Sequence, residues 1–473
     1  MKVIVVGGGI AGLAAATRLV DGGHEVTLYE RRPSLGGRAY SIVDETTSDV
    51  IDNGQHLFMG CYSSLRRFLG RIGATGKLRF QDDLQVAFRH PDGSTSRLRT
   101  APLPAPFHLL GGLLGFATLS WRDRFAMAKV AAALTRPSAL FPAASDFETV
   151  ERWLDRIGQS REARRGFWHP LALATLNDDP RTASAKMLEA VLREAFFGTR
   201  DDARLGMARG GLSELYAEDA ARFIEASGGR IVTGAHVESL ELIDRVVRGI
   251  RLRDGSLLPA DAVITAVPPP ALLALVPEAA RAGETYFEGL ARLESSPIIS
   301  VHLWLDRLVS DGELLGLIDR PVHWIFDRNQ LAKVHAPTGS HLSLVISAAR
   351  DLIDRPAQEL VGLALAEVRR ALPAAADAQL VHSRVMKERD ATIAHTAGTE
   401  GFRPTPRSPF GGLFVAGDFV RTGLPATLES AVRSADSAVA ELGEWTPPPA
   451  RIRTNLVDVG RLVRGVVREG NGP

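Results

Sequence analysis

The chain has 473 residues, with 56 Lys and Arg against 55 Asp and Glu, a net charge of +1, and 45% hydrophobic and 23% charged residues. That length exceeds one ordinary core and predicts two or three domains, while the balanced charge gives no global field to draw the protein onto nucleic acid. The single cysteine, Cys61, excludes an intrachain disulfide and a cysteine-built metal site, so no metal is expected and a reducing cytoplasm fits.

Residues 3–6 (VIVV) are β-branched and apolar, which suits a buried parallel strand. A glycine loop follows at 7–12, then an alanine-rich helix ended by Gly22 and Gly23, then a strand at 25–29 closed by Glu30. The glycine loop interrupts the first apolar run too early for a signal peptide. Residues 51–58, IDNGQHLF, set polar groups and a glycine between apolar residues. Residues 84–98 alternate around Pro91-Asp92-Gly93 and predict a hairpin.

The region 107–200 is mostly helical in pattern. The longest stretch free of Asp, Glu, Lys and Arg, 101–121, is broken by Pro102, Pro104 and Pro106. What remains is shorter than the roughly 20 residues of a bilayer span, so no transmembrane helix is expected. Residues 107–121 suit either a membrane-dipping portal followed by Arg122 and Arg124 or a buried helix.

A helix is predicted at 210–227, then strands near 230–232, 236–242, 247–253 and 262–267. Further strands are expected at 298–305, 341–347 and 413–416, with helices at 357–371 and 428–442. After the linker at 447–449, the tail carries Leu456, Val459, Val463 and Val466 at helical spacing, interleaved with Arg461, Arg464 and Arg468. Such a segment rests on anionic lipid, docks on its own protein or frays.

Gly7, Gly9 and Gly12 form G-x-G-x-x-G between strand and helix, with Ala11 within the loop as a further cofactor-binding candidate. The first glycine makes the turn, the second admits a pyrophosphate, and the third lets helix and strand pack. Glu30, at the end of the second strand, stands where an acid binds ribose hydroxyls. No second such motif follows a strand, so an independent NAD(P)H domain is not expected.

RRPSLGGR (31–38) and GGLFVAGDFVRTGLPATLESAVRSA (411–435) resemble segments of the flavin amine oxidase and phytoene desaturase superfamily. The resemblance implies FAD as cofactor. It implies an α/β fold: a Rossmann-type, GR2-like FAD-binding domain with a mixed α+β substrate domain inserted. In such proteins Arg31, Gly37 and Arg38 wrap the pyrophosphate, and a strand delivers Gly417 and Asp418. Thr427 and Leu428 then begin a helix beside the flavin. In GGRIVTGAHVESLEL (228–242), Val237 would hold the adenine through its backbone, or is a core strand residue. The implied organisation is a discontinuous FAD domain at 1–80, 205–270 and 390–445. The substrate domain would cover 81–204 and 271–389, with a helical lipid-facing part, and the tail 446–473.

IDNGQHLFMGCY (51–62), FWHPLALATLND (167–178) and GLPATLESAVRSA (423–435) are together similar to the squalene-associated branch, the hydroxysqualene dehydroxylases. That likeness runs from residue 2 to about 442. It implies a polyprenoid substrate and a reductive step, in which hydroxysqualene becomes squalene as FADH2 becomes FAD. Gly54 would let the backbone approach the flavin, and Gln55 and His56 would face the ring or the reacting carbon. The plainer alternative is a turn with His56 bonded to backbone. His56 is the first candidate for the acid that protonates the leaving oxygen. Glu388 is a weaker candidate, with Asp390 and His395. Phe58, Phe167 and Trp168 would wall the substrate and ease cationic character, or are core residues.

Three rivals stand beside this reading. One is an oxidative carotenoid-type desaturase. Another is an amine oxidase, for which Phe419 is the only aromatic near Asp418. The third is a non-enzymatic prenyl-lipid escort. A cytoplasmic protein is expected, with peripheral membrane contact and upstream pathway enzymes as options. Oligomeric state is not legible.

Overall fold

A computed structural model describes residues 1–105, 107–135, 143–333 and 338–447. The amphipathic segment expected at 451–468 lies outside the described residues.

A five-stranded parallel sheet runs in the order Arg230–Val232, Glu25–Tyr29, Lys2–Val6, Ala262–Thr265, Leu413–Val415. Val3 pairs with Val26 on one side and Ala262 on the other. Its apolar strands are buried on both faces, as a parallel sheet requires. The helix Ile10–Asp21 lies on it through Ala14, Ala15 and Ala16, each at most 1% exposed. Small side chains let this helix pack against both the sheet and the helix Leu428–Gly443; a larger residue there would cost about 1–3 kcal/mol in overpacking. The sheet thus unites strands from both ends of the chain, and the expected Rossmann-type α/β architecture is present.

A seven-stranded mixed sheet runs Leu380–Ile393, Ser295–Leu305, Ser340–Ile346, Trp324–Asp327, Leu314–Leu317, Gln85–Arg89, Thr95–Arg99. Gln85–Arg89 and Thr95–Arg99 form the expected hairpin. Period-2 alternation gives the sheet two unlike faces. Ile299, Val301 and Leu303 pack with Leu342 and Leu344 against Leu360, Ala364 and Val368 of the helix Ala357–Ala371. Ser300, His302 and Trp304 lie on the opposite face, in register with Val345, Ser343 and His341. The 14-residue strand Leu380–Ile393 went unpredicted because MKERDATIAH carries charges at consecutive positions. It is an edge strand, where polar side chains on both faces stay hydrated.

The helices between the sheets bury Trp153, Trp168, Leu188 and Phe116. Residues 107–121 give the helix Phe107–Gly115 and a turn. His108, Phe116 and Leu119 face inward, and Phe107, Leu114 and Trp121 are exposed. Among the described residues no helix is long and apolar enough to cross a membrane.

Candidate active site

The glycine loop is built as its spacing predicts. Gly7 has φ +108°, and a Cβ there would sit 2.7 Å from Ala266 O. A Cβ on Gly12 would sit 1.9 Å from Gly7 O, so the fold itself demands glycine at both. Gly9 differs: a Cβ there would meet nothing nearer than Gly37 Cα at 3.7 Å. Gly54 is alike, with Ser300 Oγ at 3.5 Å. Both line one cavity of about 530 Å³, so the space their missing side chains leave serves a ligand rather than the fold. Gly12→Ala should therefore lower the unfolding midpoint of the apoprotein. Gly9→Ala should leave that midpoint unchanged while weakening FAD binding in a flavin titration.

The rest of the expected cofactor set surrounds the same cavity. Arg31, Gly37, Arg38, Ala11, Val237, Gly417, Asp418, Thr427 and Leu428 all line it. The Gly36–Gly37 turn lies directly on the glycine loop, with Gly36 N–H donating to Gly8 O at 2.9 Å. The single hydroxyl hydrogen of Tyr216 is shared between Gly36 O and Ala39 O, a clamp with no sequence signal. Glu30 accepts Gly8 N–H on one oxygen at 2.6 Å and Arg32 N–H on the other at 2.8 Å. Each oxygen keeps a lone pair for a ribose hydroxyl. Arg38 pairs with Asp418, joining loops 380 positions apart. The helices beginning at Ile10 and Leu428 both start at the cavity, where unpaired N–H groups favour phosphate.

The DNGQH loop is held from three sides. Asn53 Nδ2 donates to Arg38 O at 2.7 Å. Asp52, 1% exposed, accepts from Ser41 Oγ and Leu212 N–H. Arg328 reaches both Asp52 Oδ2, at 3.3 Å, and Gln55 Oε1, at 2.7 Å. A guanidinium only donates, so Gln55 must offer its oxygen there and its NH2 elsewhere. Among the described residues that NH2 has no protein partner, and Gln55 lines the cavity.

His56 also lines the cavity, and its Nδ1 lies 2.8 Å from Gly54 O. A carbonyl only accepts, so Nδ1 carries the hydrogen and Nε2 of the neutral ring carries a lone pair. Burial lowers the His56 pKa from its ordinary 6.5, against the opposing pull of Gly54 O and Asp52. The loop therefore carries a donor on Gln55 and an acceptor on His56, adjacent residues that both line the cavity. The backbone bond that the plainer reading expected is also present.

Beyond this loop the lining turns apolar: Leu57, Leu173, Ile298, Trp324, Phe326 and Val345. The three expected substrate aromatics are not in it. Phe58, fully buried, belongs to the core under the parallel sheet, because alternation along Phe58–Met59 turns it away from the side that Leu57 and Met59 face. Trp168 donates to Gln159 Oε1 and packs edge-on with Phe167, which packs in turn with Phe116. The next turns of that segment, Leu173 to Asn177, reach the cavity instead. Glu388 is also absent from the lining; it accepts from Tyr40 Oη at 3.1 Å. His395 accepts Ala426 N–H in the core, and Asp390 is exposed. Trp324 and Phe326 escaped notice because their short strand, WIFD, carries no period of its own.

The family model "Flavin containing amine oxidoreductase" matches residues 10–443. The chain belongs to this family. FAD is its cofactor, and the protein is an FAD-dependent oxidoreductase of the amine oxidase and desaturase superfamily. It is 27% identical over 459 residues to a 15-cis-phytoene desaturase of Synechococcus elongatus, covering 92% of this chain and 94% of that protein. It is 29% identical over 452 residues to a hydroxysqualene dehydroxylase of Sinorhizobium fredii, covering 92% and 97%. In fold it is similar to an oxidoreductase from Methanosarcina mazei, with TM-score 0.73, 21% identity and coverage of 94% and 100%. Cyclohexylamine oxidase from Brevibacterium oxydans gives TM-score 0.68, 21% identity and coverage of 94% and 98%.

Proposed function

We propose that this flavoprotein removes the allylic hydroxyl of hydroxysqualene to give squalene. The observation that carries the reading is the pair at the cavity head. Gln55 has a donor and His56 Nε2 an acceptor to spare, the two groups one alcohol can satisfy, and the same cavity is lined by Leu57, Leu173, Ile298, Trp324, Phe326 and Val345. A pure hydrocarbon would leave both groups unpaired, at a cost of about 1–3 kcal/mol each. We assign cofactor binding to 1–80, 205–270 and 390–445, and substrate binding to 81–204 and 271–389.

When bound in its reduced form, FAD would supply the hydride that takes the hydroxyl's place on carbon, and with one proton from the protein the hydroxyl would leave as water. This chain's part is to orient and protonate. Gln55 NH2 donates to the hydroxyl oxygen, and neutral His56 accepts the hydroxyl hydrogen at Nε2. When His56 is protonated, the same Nε2 donates to that oxygen as the carbon–oxygen bond breaks. The apolar wall excludes water that would otherwise capture a cationic carbon.

The test is anaerobic. The bound flavin is photoreduced, hydroxysqualene is added, and flavin absorbance and extracted product are followed. Reoxidation with stoichiometric squalene is expected. A flavin that stays reduced would sink the reading. A second reading, oxidative desaturation of a polyene, draws on the resting tautomer: an unprotonated Nε2 is a proton acceptor. Its mark would be reduction of oxidised enzyme by a phytoene-like polyene.

A substrate of this kind resides in a bilayer, and we assign membrane contact to the two helices Phe107–Gly115 and Trp121–Thr135. Phe107, Leu114, Trp121 and Phe125 are exposed there, with Arg122 beside them. Exposed apolar groups next to cations suit an anionic lipid surface. Trp121→Glu with Phe125→Glu should lower co-sedimentation with phosphatidylglycerol vesicles several-fold and leave flavin content unchanged. Equal sedimentation would refute the assignment.

A further inference from the structure

We infer that Arg328 is a positioning residue that sets the preference of the cavity head for an alcohol over a hydrocarbon, by fixing which end of the Gln55 amide faces the substrate. The inference rests on the hydroxyl reading above.

Arg328 is 8% exposed and follows the strand Trp324–Asp327 directly. Its backbone is held by Asp327, whose side chain accepts the N–H groups of Asn329 and Gln330. The guanidinium therefore approaches the DNGQH loop from a fixed base. Asp52 keeps it there. Oδ1 of Asp52 is taken by Ser41 and Leu212, which leaves Oδ2 for Arg328. The main-chain oxygen of Asp52 accepts from His302 Nε2 at 3.1 Å, and His302 Nδ1 faces His341 Nε2 at 3.2 Å. Burial holds both imidazoles neutral, so no second cation competes with Arg328 for Asp52.

The amide of Gln55 then has one orientation. Its oxygen lies on Nη1 of Arg328 at 2.7 Å, and only its NH2 remains for the cavity. Removing Arg328 frees the amide to turn over. In the flipped state the cavity head would show two acceptors, Gln55 Oε1 and His56 Nε2. A hydroxyl has one hydrogen and can satisfy only one of them, and its own oxygen would lose its donor. A hydrocarbon is indifferent to the flip. The signature of positioning is therefore a change in the ratio of two affinities rather than in either alone.

The experiment measures equilibrium binding of hydroxysqualene and of squalene to the oxidised holoenzyme, by perturbation of flavin fluorescence. In Arg328→Met the Kd for hydroxysqualene should rise about tenfold. The Kd for squalene should stay within about twofold. In a Gln55→Met background, Arg328→Met should change the ratio no further, since the amide it orients is gone. Arg328→Lys serves where the methionine variant does not fold. It keeps a charge for Asp52, but its Nζ lies one bond nearer the backbone than the Nη1 that serves both Asp52 and Gln55, so the same fall in the ratio is expected. A ratio equal to wild type in both Arg328 variants, or an equal loss of both affinities, would overturn the inference and leave Arg328 as a charge partner of Asp52. Equal affinity of the wild type for the two ligands would sink the hydroxyl reading itself, and the assignment with it.

Discussion

Arg403→Met is expected to strip the protein of flavin and to destabilise it by about 3–5 kcal/mol, the usual result of breaking a buried ion pair on one side. Arg403 is 1% exposed and pairs with Glu400 at 2.9 Å. Its remaining donors reach the main-chain oxygens of Asp418, Phe419, Val420 and Leu424. One side chain thus ties down the whole turn that follows Gly417. Methionine would leave Glu400 buried without its cation and the carbonyls of Phe419, Val420 and Leu424 without a donor, Asp418 O keeping only Ser430 Oγ at 3.4 Å. Arg403→Lys should rescue little, because an ammonium cannot span that fork of acceptors. The measurements are urea unfolding and the flavin-to-protein absorbance ratio of the purified variant. Wild-type flavin content with an unshifted midpoint would show the hub to be dispensable.

The second large effect is catalytic. His56→Gln should lower reductive turnover by about 10²–10⁴-fold, the range for loss of a general acid, and abolish its pH dependence. The sign follows from burial, which places the His56 pKa below 6.5. The acid form is therefore scarce at neutral pH and grows as pH falls. Dehydroxylation should speed up as pH drops from 8 toward that pKa and then level off. Were the enzyme a desaturase using Nε2 as base, the oxidative rate would instead climb with pH through the same value. A His56→Gln profile that overlays the wild type would remove His56 from the chemistry.

Much of the cofactor cradle was legible because its signals are local. The glycine spacing, Glu30 and the Gly417-Asp418 turn each announce a backbone conformation within a few residues, and Gly7, Gly9, Glu30, Gly417 and Asp418 line the cavity. Long, evenly patterned elements were equally open to reading, as in the helix Ala357–Ala371. What stayed hidden depends on pairing between distant segments. Phe58 and Leu57 are both apolar, and only the partner strand Leu205–Ala208 decides which of them faces the core. Arg403 and Arg328 look like surface charges in sequence; their acceptors lie on loops up to 276 positions away. The same holds for Glu388, whose partner Tyr40 is 348 positions off.

The order of the parallel sheet has a consequence for how this chain comes to exist. Its central strand, Lys2–Val6, is made long before its edge strand, Leu413–Val415. During synthesis Ala262–Thr265 can dock on the first strand while its other edge stays bare. A bare apolar edge invites pairing with other chains, and contacts this distant in sequence form slowly. Arg38 likewise waits for Asp418. The nascent protein must therefore stay unassociated until Leu413–Val415 has been made before it can take up FAD, and a chain ending short of residue 415 would emerge both colourless and prone to aggregate.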